Sequence, residues 1–315
     1  MKSLSYSLAS GFAAVLLLAG CTAAPGADDQ PTNTTGSSDS NAGIDSAGTA
    51  ADSSGGDSNS SNPDGAVTAD EILEYVSNTE WSFSHNGLSD PVTITIENSA
   101  GTGEYGQTYS LGDPVEGDAN GDSIPDLAIP ISELDGNGFH ELWYIWLGSD
   151  NADTVAEQVP FPIGVTSRCG HVVNSVTASN QGFTVDENLR TIYDQSLDCA
   201  TAGSSHQIRE IAVSELDGAW FPMQVSPSPA WGGFRPPSLW GDSDAVSTEV
   251  ELLSAPTDSA PVSASLGEEL VLFPVADSSR FDSMGYEIIG YRSSVTGEVD
   301  SSDTTPLLNC AFHRR

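Results

Sequence analysis

From Val67 onward the apolar and polar residues alternate with a period of two over most of the chain, the pattern of half-buried β-strands. Val92-Thr93-Ile94-Thr95-Ile96-Glu97 is the clearest run. The departure from this period comes at the start. Thr68-Ala69-Asp70-Glu71 has the form of a capping box, and Val67 and Ile72 are spaced as a hydrophobic staple. Ile72, Tyr75 and Val76 form one stripe, which predicts a short helix ending near Ser77. A strand from Tyr105 to Leu111 is expected to pair with Val92–Glu97 across a Gly-rich turn at Ala100–Gly103. Leu127, Ile129 and Ile131 share a face, and Pro130 lacks a ladder donor, which predicts an edge strand. Asp135-Gly136-Asn137-Gly138 reads as a hairpin turn. The strand after it, Phe139–Leu147, is apolar on both faces from Leu142 and is expected to be the most buried.

Val159, Phe161, Ile163 and Val165 share a face opposite Pro160 and Pro162, again an edge signature. Val172–Ala178 and Gly182–Val185 are expected to pair across Ser179-Asn180-Gln181, and Gln207–Val213 and Ala219–Val225 across Asp217-Gly218. Ser-Glu-Leu-Asp-Gly occurs at both Ser132 and Ser214 as recurrent hairpin chemistry. Beyond a Pro/aromatic connector that holds Trp231, Phe234 and Trp240 lie weaker strands at Val250–Leu253, Leu270–Val275 and Tyr286–Tyr291. The expected fold is mainly β: an antiparallel β-sandwich or barrel-like domain with one short N-terminal helix, plus a small C-terminal β extension. In domains, 67–226 is the main β unit, and 227–315 the connector and smaller unit.

Composition changes the picture mostly at the N-terminus. The chain has 315 residues and a net charge of −36, with nine basic residues of which Lys2 is the only lysine. So acidic a surface repels phosphate backbones and excludes nucleic acid as a partner. It repels anionic lipid headgroups too, so a membrane would have to be held by another device. Residues 1–20 supply one. Met1-Lys2, the apolar run Phe12–Leu18 and Leu18-Ala19-Gly20-Cys21 look like a bacterial lipoprotein signal peptide with its lipobox. The apolar run is too short to span a bilayer. The resemblance implies diacylglycerol on the Cys21 thiol and cleavage just before it. Two or three acyl chains would anchor the protein stably. From 21 to 66 the chain is Ser-, Gly- and Asp-rich, with seven Asp and no base, too poor in apolar residues to order itself. It is expected to be a disordered tether reaching on the order of 35–40 Å.

The stretch with most chemistry is Gly117-Asp118-Ala119-Asn120-Gly121-Asp122-Ser123-Ile124-Pro125-Asp126. Oxygen side chains stand at loop positions one, three, five and nine: Asp118, Asn120, Asp122 and Asp126. The Ile124 carbonyl occupies position seven, the usual backbone ligand. Alternate spacing turns successive oxygens toward one centre, as calcium requires. The loop resembles the single calcium loop of FG-GAP and integrin-type repeats. It departs from that pattern in having Ser123 at position six, where glycine normally makes the sharp turn. Ile129 at position twelve, where an EF-hand has Glu, speaks against an EF-hand. The expected role is one structural calcium pinning a loop between strands; the alternative is a solvated acidic turn that binds nothing.

Past Cys21 there are Cys169, Cys199 and Cys310. Export favours oxidation, and Cys169 and Cys199 flank a loop-rich stretch, so these two are expected to pair and leave Cys310 free. On the loop-entropy model the bond stabilises by about 3 kcal/mol. Catalytic signals are thin. There is no nucleophile elbow, and His140-Glu141-Leu142-Trp143-Tyr144 lacks the second histidine of a zinc protease motif. His85, His140, His171, His206 and His313 are scattered, and carboxylates are too numerous for any pair to be singled out. Trp231, Phe234 and Trp240 would make either a stacking platform or a cover for a sheet edge. Taken together, the chain resembles actinobacterial cell-envelope lipoproteins of unassigned function. That resemblance implies an extracytoplasmic, lipid-anchored protein at a bacterial cell membrane. The expected function is non-catalytic binding of a wall glycan or an envelope protein; the alternative is a cell-wall or glycan hydrolase.

Overall fold

A computed structural model describes residues 67–83, 91–151, 153–190, 194, 196–226, 245–247, 249–264, 267, 269–274, 281, 284–293 and 309–315. The signal peptide and Cys21, the 21–66 tether, His85 and the connector aromatics Trp231, Phe234 and Trp240 lie outside the described residues.

Helix α1 (Ala69–Val76) forms where its start signals stand. Thr68 caps it, accepting from the Glu71 amide, and the Glu71 side chain accepts from the Thr68 amide at 2.8 Å. Ile72 and Val76 are fully buried. The indole of Trp81, in β1 (Glu80–Phe83), donates to the Val76 carbonyl at 2.8 Å and so satisfies the helix end. Strand β2 (Val92–Thr95) pairs with β1 and not with the strand near residue 108. Asn98 and Ser99 both adopt left-handed φ (52° and 65°), and a bridge joins Glu97 to Ala100. The chain therefore reverses before the glycines. The stretch expected as a turn is itself strand β3 (Ala100–Thr102), and it pairs with β4 (Thr108–Leu111).

Strands β5 (Val115–Gly117), β6 (Asp126–Asp135), β7 (Gly138–Gly148), β8 (Ala156–Gln158) and β9 (Gly164–Ser167) complete a seven-stranded antiparallel sheet. Its order is β3-β4-β6-β7-β8, with β5 beside β6 and β9 beside β7. The expected Asp135–Gly138 hairpin joins β6 to β7. The edge position expected from Pro130 is wrong: β6 is central. Pro130 pairs with Trp143 on one side, and its carbonyl accepts from the Gly112 amide on the other. Its missing N–H stands opposite Gly112, between the end of β4 at Leu111 and the start of β5, so at most one bond is lost where the partner strand is already ending.

Both faces of this sheet are covered. Leu127, Ile129, Ile131, Tyr144 and Trp146 pack with α1 and Trp81. Ala128, Ile145 and Leu147 face the second sheet and meet Val176, Phe183, Val185, Ile211 and Val213. That second sheet is a four-stranded meander: β10 (Val172–Ser179), β11 (Gly182–Leu189), β12 (Ser205–Leu216) and β13 (Ala219–Ser226). Its outer hairpins turn at Asn180-Gln181 and at Asp217-Gly218, as the sequence predicts. The described residues thus form a mainly β, sandwich-like fold with one helix.

The C-terminal strands β14 (Ala245–Ser247), β15 (Leu252–Leu253), β16 (Val262–Ala264), β17 (Leu270–Pro274), β18 (Tyr286–Ser293) and β19 (Asn309–Arg314) form a six-stranded sheet. Its order is β14-β17-β18-β19-β15-β16. This sheet has a cluster in common with the meander. Phe161 stacks on Phe221 at 5.7 Å and on Phe281 at 5.8 Å, with Met223, Ile288 and Phe312 around them. Cys169 and Cys199 are joined in a disulfide, and Cys310 is free and buried, as expected.

Candidate metal loop

The acidic loop runs between β5 and β6, and its shape comes from its own side chains. Asp118 accepts from the amides of Gly121 (2.8 Å) and Ser123 (3.1 Å). Asn120 accepts from the Asp122 amide (3.1 Å), and Asp122 from the Ile124 amide (2.7 Å). Short polar side chains of this kind compete well for nearby backbone donors. Ser123 takes φ +68°, the conformation that glycine normally supplies at position six. The loop makes the same turn without the glycine, at the cost of a strained serine.

Asp126 behaves differently from the other three. It is fully buried, and its two oxygens accept from the amides of Ala119 (2.6 Å) and Gly148 (2.9 Å). It ties the start of the loop to the end of β7. Burial pushes its carboxyl up to about 7; the two amides oppose that, and the charges of Asp122 and Asp118 add to it. Gly148 is required here: a Cβ would lie 2.3 Å from the Pro125 carbonyl oxygen and 2.9 Å from Ile72. Sequence reasoning chose Asp126 for its spacing and missed Gly148, whose importance depends on where β7 ends.

Asp118 and Asn120 are half-buried, and Asp122 is exposed. A hollow of about 490 Å³ opens between Glu116–Asp118 and Ser123–Pro125. Another of about 300 Å³ is lined by Asn120, Asp122, Asp150, Glu157 and Trp220. The chain holds no Lys or Arg from residue 3 to residue 167, so the acid of this loop has no neighbouring base in sequence. The donor set is the hard-oxygen kind calcium prefers, and each carboxylate oxygen keeps a lone pair beyond the amide it accepts from. The residues therefore fit the ion chemically. Among the described residues, no three His, Cys, Asp or Glu side chains already converge as a closed cage.

Other polar clusters were not anticipated. Arg209 (1 % exposed) donates to Glu187 at 2.6 Å and to the Ile163 carbonyl at 2.6 Å, inside the sandwich. The signal was in the alternation: Glu187 follows Phe183 and Val185 on the inward face, and Arg209 precedes Ile211 and Val213. Glu133, also buried, accepts from the Tyr109 hydroxyl at 3.0 Å. Of the described histidines, His171 is buried and accepts from the Arg190 amide, while His206 and His313 meet Asp186 and Glu287. Among the described residues no helix is long and apolar enough to cross a membrane. A scan against protein-family models and searches of curated proteins and of solved structures find no match to this chain.

Proposed function

We propose that this chain is an extracytoplasmic lipoprotein, anchored in a bacterial cell membrane through Cys21 and held off it by residues 22–66. Its β module binds a wall glycan or an envelope protein without catalysis, and the 118–126 loop takes one structural calcium ion. The observation that carries the calcium reading is the alternate spacing of the Asp118, Asn120 and Asp122 oxygens on a tightly turned loop beside the buried Asp126, in a stretch of sequence without Lys or Arg. Asp118, Asn120, Asp122 and the Ile124 carbonyl would hold the ion, with Asp126 completing the set. A bound cation would offset the carboxylate repulsion that now falls on Asp126. The non-catalytic reading draws support from the buried acids. Among the described residues the buried acids Asp126, Glu133, Glu187 and Asp194 each take a structural partner.

Thermal unfolding of the full chain in chelator and in millimolar calcium tests the loop. Calcium at about 100 times its dissociation constant should stabilise the wild type by roughly 2.7 kcal/mol. Asp122→Ala should abolish that gain, and magnesium should substitute poorly. Equal melting of the wild type in both conditions would reduce the loop to an acidic turn. The anchor is tested separately: Cys21→Ala should leave the protein unacylated and out of the membrane fraction. A hydrolase reading draws on the hollow between Asp150, Glu157 and Trp220. Release of soluble sugar from wall material that disappears in Asp150→Asn with Glu157→Gln would replace the binding reading.

A further inference from the structure

The disulfide sits in an unusual setting, because its two halves are held together by more than sulfur. Cys169 and Cys199 are both exposed, Cys169 on the turn between β9 and β10 and Cys199 on the connection between β11 and β12. The Cys169 amide donates to the Cys199 carbonyl at 3.2 Å, alongside the covalent bond. Beneath the connection lies Arg190, only 8 % exposed. Its guanidinium donates to the carbonyls of Leu197 (3.4 Å), Asp198 and Thr201 (3.0 Å), which bracket Cys199. Its own amide donates to Nδ1 of His171, two residues beyond Cys169, at 2.8 Å. Arg190 therefore grips both sides of the bond: the Cys199 segment through its side chain, the Cys169 segment through its backbone. The Ser204 amide, donating to Asp194 at 3.1 Å, and the Asn188 side chain, donating to the Gly203 carbonyl at 3.3 Å, fix the far end.

We propose that Cys169–Cys199 is a reversible redox site, opened by a dithiol reductant of the thioredoxin-like class and reclosed to the same pair because Arg190 keeps its halves in register. Exposed disulfides are the ones that exchange, whereas buried ones resist. The reductant's thiolate attacks the Cys199 sulfur, the protein's S–S bond breaks, and Cys169 leaves as a thiolate that takes up a proton. The reductant's second thiol then attacks the mixed disulfide and releases Cys199 as a thiol. Two electrons and two protons pass to the protein, and the dithiol departs as a disulfide. Cys310 does not compete, being 2 % exposed in the C-terminal cluster.

The full chain, reduced with dithiothreitol without denaturant, is probed by maleimide mass tagging and by amide exchange of residues 197–204. The expected result is tagging at Cys169 and Cys199 only. Exchange in 197–204 should rise by less than ~10-fold, and oxidised glutathione should restore the original pair. Arg190→Lys, which forms the same disulfide, should reclose at least ~10-fold more slowly once reduced, since the effective concentration of one thiol at the other falls. A native bond that resists the reductant overturns the proposal. So does a reduced wild type whose 197–204 amides exchange at unfolded rates, and this wild-type reading stands even if the variant fails to fold.

Discussion

Asp126 and Glu187 are both fully buried carboxylates on inward strand positions, and the protein treats them in opposite ways. Glu187 has a resident counter-charge: Arg209 donates to it at 2.6 Å inside the sandwich. Asp126 has only dipoles, the amides of Ala119 and Gly148, and two further acids in front of it. Burial raises both carboxyls; an arginine opposes it at Glu187, and backbone donors oppose it at Asp126. The chain carries nine basic residues against 45 acidic ones, and none of the nine lies between residues 3 and 167. Glu187 keeps a base inside the fold although its second oxygen has no hydrogen-bond partner, while Asp126 has both oxygens on backbone amides and no base.

The strongest way to break this contrast is to remove the resident base. Arg209→Met should cost about 3–5 kcal/mol in urea unfolding, because Glu187 is left charged and alone. Adding Glu187→Leu should recover most of that loss, which would show the pair to be replaceable by apolar packing. The next largest effect is expected at Gly148. Gly148→Ala drives a methyl into the Pro125 carbonyl and should cost about 1–3 kcal/mol; calcium stabilisation should fall with it if loop and strand end are one unit.

Asp126 then sharpens the comparison through pH. Its carboxyl ordinarily titrates at 3.8 and in the fold at about 7. Between these values the native state keeps a proton that the unfolded chain has released. Stability in chelator should therefore fall as pH rises through that window, by at most about 1.4 kcal/mol per unit from this group. Asp126→Asn should flatten that part of the profile, and calcium, by favouring the carboxylate, should remove the fall. Guanidinium-free thermal scans at several pH values, with and without calcium, give the comparison directly. The smallest effect is expected for Asp122→Ala in chelator, within about 0.5 kcal/mol, since Asp122 is exposed. A large loss there would mean that the loop is a structural knot and not an ion site.

How much of this could be read from sequence depends on how local each cause is. The Thr68–Glu71 box and the Asp217-Gly218 turn involve neighbouring residues, and both stand where the pattern put them. The oxygen spacing of Asp118, Asn120 and Asp122 is equally local. Pro130 was misread because its lost donor is excused by a gap in the partner strands, a fact about residues 112–114. The β2 pairing was misread because Asn98 and Ser99, neither of them glycine, make the reversal. The inward turn of Asp126 depends on Gly148, 22 residues away, and no spacing rule reaches that far.

The order of the six-stranded sheet carries a consequence for synthesis. Strand β19 (Asn309–Arg314) lies between β18 and β15, and among the described residues nothing else in the sheet bridges these two. As the chain emerges from its N-terminal end, β15-β16 and β14-β17-β18 stay separate pieces, and Phe221 and Phe281 wait for Phe312. A polypeptide that stops short of residue 309 leaves that sheet in two halves with an open aromatic seam.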